Sequence, residues 1–180
     1  GQAFLRLGSE ITVIEALDSL LPQSEPEIGT ALLNRLESEG MKFYLRSRIS
    51  SVHSENGMKS VEVITSQGKM EIVAEQLLVA AGRIPNTSGL NIQAAGIETD
   101  PRGGIVTDSS MKTSAAGIYA AGDCVSKKML LETLAAREGA IAAGNIFGQE
   151  GKIDYNSTAW AVLTNPQVAG VGLTEREYTM

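Results

Sequence analysis

One cysteine, Cys124, and one histidine, His53, are all the thiol and imidazole this chain carries. A single thiol excludes an internal disulfide, a Cys-x-x-Cys redox pair and a thiolate metal cluster, and one imidazole does not make a metal site alone. His53 reads as a strand position and Cys124 as a small structural residue. Aromatic residues are scarce, at 4%. No apolar run approaches the roughly 20 residues of a bilayer-spanning helix, and the opening residues lack the basic-then-apolar order of a secretory leader. The expectation is a cytoplasmic protein with no membrane contact. Positive charge is also short, with 15 Lys and Arg against 21 Asp and Glu and a formal net charge of -6. The cations are scattered, so no basic face offers itself to nucleic acid or anionic lipid.

What is present is apolar material, 43% of 180 residues, enough for one large or two small cores. Gln2 to Leu7 reads as a helix end closed by Gly8, and Glu10 to Glu15 (E-I-T-V-I-E) as a short buried strand. Ser24 and Glu27 make a capping-box pattern, followed by Ile28, Leu32 and Leu36 every fourth residue and by Gly40 as the stop. Met41 to Leu45 and Ile49 to Val52 read as strands, and Asn56-Gly57 and Gly68 as turns of a β-meander running to Ala74. Leu77 to Ala81 (L-L-V-A-A) and Gly117 to Ala121 read as buried central strands, and the Ala-rich stretch from Leu130 to Phe147 as a helix ended by Gly148. Past Gly151 the character changes, with two strands around Asn165-Pro166 and a second capping box at Thr174 and Glu177. Both ends fall in helical patterns, so the chain is expected to be an internal piece of a longer protein.

Three places carry nucleotide chemistry. Glu15 ends a strand, where open α/β sheets bind ligands; its carboxylate can accept hydrogen bonds from the ribose hydroxyls of NAD and would repel a 2′-phosphate. The glycine-rich phosphate turn that usually precedes such an acid by about 20 residues would fall before residue 1. A solvated strand-end glutamate is the equal alternative. Val79 to Asn86 (V-A-A-G-R-I-P-N) places Gly82 just past a strand, where backbone can approach a ligand closely, though for an isolated Gly-Arg-x-Pro a plain structural turn is the stronger explanation. Thr113 to Asp123 (T-S-A-A-G-I-Y-A-A-G-D) is the more specific pattern: small residues leave room, and Asp123 offers acceptor oxygens to polyol hydroxyls. The helix behind it carries Ala135, Ala136, Gly139, Ala140, Ala142, Ala143 and Gly144, small enough to pack closely on a sheet or a cofactor.

In this order the motifs resemble the pyridine nucleotide-disulfide oxidoreductases, over essentially the whole chain. The resemblance implies an α/β fold, part of a two-dinucleotide-binding-domain flavoprotein with a β-meander and the start of an α+β interface domain. It assigns residues 1–81 to the NAD(P) domain without its first strand, 82–150 to the returning half of the FAD domain, and 151–180 to a truncated dimerisation domain. It makes Glu15, Ile49 and Gly82 contacts of NADH or NADPH, with Glu15 favouring NADH. It makes Asp123 the contact of the FAD ribityl chain, and brings Met129, Leu130 and Leu131 near the flavin ring. Leu90 to Gly96, Arg102 to Asp108, Ile118 to Cys124 and Pro166 to Gly172 are most similar to the mercuric reductase branch, with the dihydrolipoamide dehydrogenase branch next. Met129-Leu130 is closer to the dehydrogenase pattern, although Glu132 stands where that pattern has histidine. The implied activity is hydride transfer from NAD(P)H through flavin to a redox disulfide, acting on a small-molecule, metal-ion or disulfide substrate in a homodimer. No catalytic residue of that scheme lies in this chain. The reading of another class is a non-catalytic nucleotide-binding module.

Overall fold

The computed structural model describes residues 1–127 and 129–179. Met180, the last residue of the expected dimerisation segment, lies outside them. The chain divides into two compact units, one made of Gly1–Ala80 with the segment from Ala161 onward, the other of Ala81–Trp160.

The first unit opens with α1 (Gln2–Arg6), followed by Gly8 as the sequence predicts. β1 (Thr12–Ile14) and β2 (Lys42–Tyr44) pair in parallel, and α2 (Pro26–Ser38) is the crossover between them. Leu32 and Leu36, four residues apart, bury one face of α2 together with Met41, against Leu5, Ile11, Val13 and Phe43. Each such side chain contributes about 1.5–3 kcal/mol on burial, so this apolar patch holds α2 on the pair more than helix propensity does.

The start of α2 differs from expectation. Glu25 is its N-cap, without a side-chain capping bond, and Ser24 Oγ donates instead to the Leu21 carbonyl at 2.8 Å. Pro26 occupies the first turn, where its missing N–H costs nothing and its fixed φ suits the helix, so the boundary falls one residue later. The stop is as predicted. The Gly40 N–H donates to the Glu37 carbonyl and the Met41 N–H to the Leu36 carbonyl, a Schellman motif whose apolar contact joins Met41 to the core.

β3 (Arg48–Glu55), β4 (Met58–Thr65) and β5 (Gly68–Ala74) form the antiparallel meander. Asn56 at φ 51° and Gly57 at φ 82° make the two-residue turn with both central residues left-handed, the hairpin geometry that Asn-Gly favours. On the middle strand Val61 and Val63 are buried, at 3% and 0% exposure, and set the register. β6 (Trp160–Val162) and β7 (Val168–Gly170) make a further two-stranded sheet. α4 (Glu175–Thr179) carries the predicted capping box, with the Glu177 N–H donating to Thr174 Oγ1 and the Thr174 N–H to Glu177 Oε2.

Two expected strands are absent. Leu77 to Ala81 forms no strand, and Leu78 and Val79 are 71% and 76% exposed. Gly117 to Ala121 contributes only an isolated bridge, Tyr119 to Lys112, with the Ala120 N–H donating to the Met111 carbonyl. Both have strand composition, but a strand exists only where a neighbour supplies a ladder of backbone groups, and no described segment does so here.

In the second unit α3 (Glu132–Ile146) is the principal element. Leu134 and Ala142 on its inner face close over Met111 and Ile153, with Tyr119, Met129, Leu131 and Tyr155 at the margin. A smaller cluster of Ile92, Ile97 and Ile105 receives Ala120 and the half-buried Cys124. Residues 148–152 follow α3 without leaving the unit: Asn145 Nδ2 donates to the Gly151 carbonyl at 2.9 Å while its Oδ1 accepts the Gly151 N–H at 2.8 Å. No helix among the described residues is long and apolar enough to cross a membrane.

Candidate functional site

In the first unit the end of β1 is fixed by backbone. The Glu15 N–H donates to the Tyr44 carbonyl and the Ser47 N–H to the Glu15 carbonyl, both at 2.9 Å, which brings the strand end beside the start of β3. Ile49 lies two residues beyond Ser47 and is 46% exposed, next to an irregularity in the β3–β4 register between Ile49 and Ser51. The Glu15 side chain caps the following loop, with Oε1 accepting the Leu17 N–H at 2.8 Å. Among the described residues Oε2 has no partner. A carboxylate anchored through one oxygen at a parallel strand end, with the other open, suits a vicinal pair of ribose hydroxyls.

In the second unit Gly82 has φ +109°, with nothing within 4 Å of where a Cβ would stand. The residue after it connects this segment to the other motif: Arg83 Nη1 donates to Asp123 Oδ2 at 3.0 Å. Arg102 Nη2 in turn donates to the Arg83 carbonyl at 2.8 Å. Asp123 keeps 46% of its side chain exposed, so its oxygens remain available to a polyol. Gly122 before it sits at φ +81°, the left-handed region that a Cβ disfavours, and a Cβ there would lie 3.4 Å from Ala135 Cβ. The small residues of α3 therefore let the helix approach the turn, as their composition suggests. Of the three residues expected near a flavin ring, Met129 and Leu131 pack on the α3 core and Leu130 is 38% exposed.

Two further parts of this region were not singled out from sequence. Asp100 staples the loop that precedes it in space: Oδ2 accepts the Ser126 hydroxyl at 2.7 Å, and Oδ1 accepts the N–H groups of Gly104 and Arg102 at 2.9 and 2.8 Å. The Ser126 hydroxyl first, then the Gly104 N–H, lower the Asp100 pKa below the usual carboxylate value. Glu138, 1% exposed, accepts the Gly122 N–H on Oε2 at 2.7 Å. Its signal was in the sequence: Glu138 falls four residues after Leu134 and four before Ala142, so on the helical period a charge shares the face that these two bury.

An acid at a parallel strand end, an open glycine after a strand-like segment and an exposed aspartate on a glycine turn packed under a small-residue helix define a dinucleotide-binding α/β protein. The chain belongs to the pyridine nucleotide-disulphide oxidoreductase family, whose sequence model matches residues 1–139. It is 41% identical over 181 residues to a dihydrolipoyl dehydrogenase of Thermus scotoductus, covering 98% of this chain and 38% of that protein. It is 38% identical over 176 residues to a mercuric reductase of Acidithiobacillus ferrooxidans, covering 98% of this chain and 31% of that protein. The crystal structure of LpdA from Mycobacterium tuberculosis superposes with a TM-score of 0.85 at 30% identity, covering 97% of this chain and 38% of that one. The chain thus spans less than two fifths of the length of each. The two enzyme types are matched almost equally, so overall similarity does not favour the mercuric type suggested by the short stretches.

Proposed function

We propose that this chain is part of an FAD-dependent oxidoreductase that takes hydride from a nicotinamide dinucleotide and passes it to a redox disulfide located outside these residues. The observation that carries the proposal is the Gly122–Asp123 turn, left-handed at Gly122 and ending in a carboxylate that faces solvent. When bound there, FAD supplies two-electron transfer between the nicotinamide and the disulfide. Asp123 accepts hydrogen bonds from the ribityl hydroxyls, and Met129, Leu130 and Leu131 pass near the ring, Leu130 being the most exposed of the three. Glu15 Oε2 accepts from the adenosine ribose, and its charge repels a 2′-phosphate, which makes NADH the preferred donor; Ile49 completes that site within the first unit, and Gly82, in the second, offers a backbone that a dinucleotide can approach closely. Homodimerisation through the segment after residue 151 is supported by Leu163, Val171 and Leu173, exposed at 84%, 63% and 53%.

The test is made on the full-length protein containing this chain. A visible flavin absorption that bleaches anaerobically with NADH and returns on adding a disulfide acceptor is the expected result; a purified, folded protein without flavin defeats the proposal. Turnover of dihydrolipoamide against NADH-dependent or NADPH-dependent loss of Hg(II) then assigns the acceptor.

A further inference from the structure

Glu138 sits in the middle of α3 with 1% of its surface exposed. A carboxylate withdrawn from water is costly unless hydrogen bonds replace the water, and an apolar side chain of similar volume would fill the position more cheaply. Both oxygens are served, by donors from opposite sides: Oε2 accepts the Gly122 N–H at 2.7 Å and Oε1 accepts the Tyr155 hydroxyl at 2.8 Å. Tyr155 is itself held in place, with Lys127 Nζ 4.5 Å from its ring centroid. Burial, and then the Glu138 carboxylate, push the phenol well above its usual pKa, so the hydroxyl stays protonated and donates. One turn earlier on the helix, Ala135 Cβ stands 3.4 Å from where a Cβ on Gly122 would lie. The helix face thus comes close to the turn at Ala135 and fixes the direction of its amide through Glu138.

We infer that Glu138, clamped by Tyr155, is a positioning residue that orients the Gly122 amide and thereby aims the Asp123 carboxylate at the FAD polyol. This rests on the flavin reading of Asp123. It explains why a buried charge stands between Leu134 and Ala142 on this face of α3: the Gly122 N–H needs an acceptor of fixed direction, which an apolar residue does not provide.

The experiment uses the full-length protein, stripped of FAD and titrated with FAD, with three readouts: the FAD dissociation constant, the melting temperature of the apoprotein, and hydrogen exchange at the Gly122 amide. E138A is expected to weaken FAD binding about tenfold and to speed Gly122 exchange, as loss of a charge-assisted hydrogen bond predicts. E138Q is expected to restore binding, because its carboxamide oxygen still accepts from Gly122 while its NH2 donates to the Tyr155 oxygen. Y155F is expected to weaken FAD binding by a smaller factor. If E138A does not fold, E138D is measured instead; its side chain is one methylene shorter and cannot reach both partners. FAD bound equally by wild type and by the folded E138A or E138D, with Gly122 exchange unchanged, overturns the inference and leaves the flavin reading standing. E138Q as weak as E138A also overturns it. A wild-type protein that binds no FAD overturns the flavin reading and the inference together.

Discussion

Arg83 Nη1 lies 3.0 Å from Asp123 Oδ2, joining two loops forty residues apart in sequence, and both side chains remain open to solvent, at 74% and 46%. An exposed pair of this kind contributes about 0–1 kcal/mol, so the hydroxyls of a ligand can replace Arg83 at little cost to the fold. The pair holds the aspartate near its place without withholding it.

Asp123→Ala therefore separates binding from folding. The melting temperature of the full-length apoprotein is expected to stay within the change that about 1 kcal/mol produces, while FAD affinity falls about tenfold or more. Thermal denaturation and flavin titration of the same preparation check it; unchanged FAD affinity removes Asp123 from the site.

Replacing Glu15 with Arg exchanges a group that repels a 2′-phosphate for one that attracts it. The ratio of kcat/KM for NADH to that for NADPH is expected to fall by about tenfold or more, roughly the 1.4 kcal/mol of one phosphate contact. An unchanged ratio refutes the assignment of Glu15.

Acid should weaken the first unit through Glu39. Arg6 first, then Gln2, with further help from Arg35, hold its pKa down from the ordinary 4.5 to about 2. A folded-state pKa below the unfolded one means that the stabilisation is complete above pH 4.5 and is lost as the pH falls from there toward 2. Glu39→Gln is expected to flatten the fall of melting temperature across that window, measured against wild type at matched ionic strength. An identical pH profile for the two proteins counts against the pairing.

Gly29 reverses the usual rule for helices. Ala in place of Gly inside a helix normally stabilises by about 0.5–1 kcal/mol. Here a Cβ would overlap the Leu20 carbonyl oxygen, a backbone atom with little freedom to move. Gly29→Ala is expected to destabilise by about 1–3 kcal/mol, the range for overpacking. Thr30→Ala, one residue on and exposed, serves as the control in urea titration.

The parts of this protein legible in its sequence are those decided by neighbours in the chain. The spacing of Leu32 and Leu36, the stop at Gly40, the Asn56-Gly57 hairpin and the capping box at Thr174 and Glu177 all rest on interactions spanning six residues or fewer, and the structure shows each of them. Glu15, Gly82 and Asp123 are candidates on the same kind of ground, strand-like runs ending in a residue of the right chemistry. What the run at 77–81 or 117–121 becomes depends on whether another segment lies alongside it, and composition does not contain that information. Nor does it contain the Arg83–Asp123 pair, the Ser126–Asp100 hydrogen bond or the two hydrogen bonds on Glu138, which join residues 16 to 40 apart. Sequence placed the acids; only the tertiary structure decided which of them face solvent and which are spent inside, because burial and hydrogen-bond partners are properties of the packed chain.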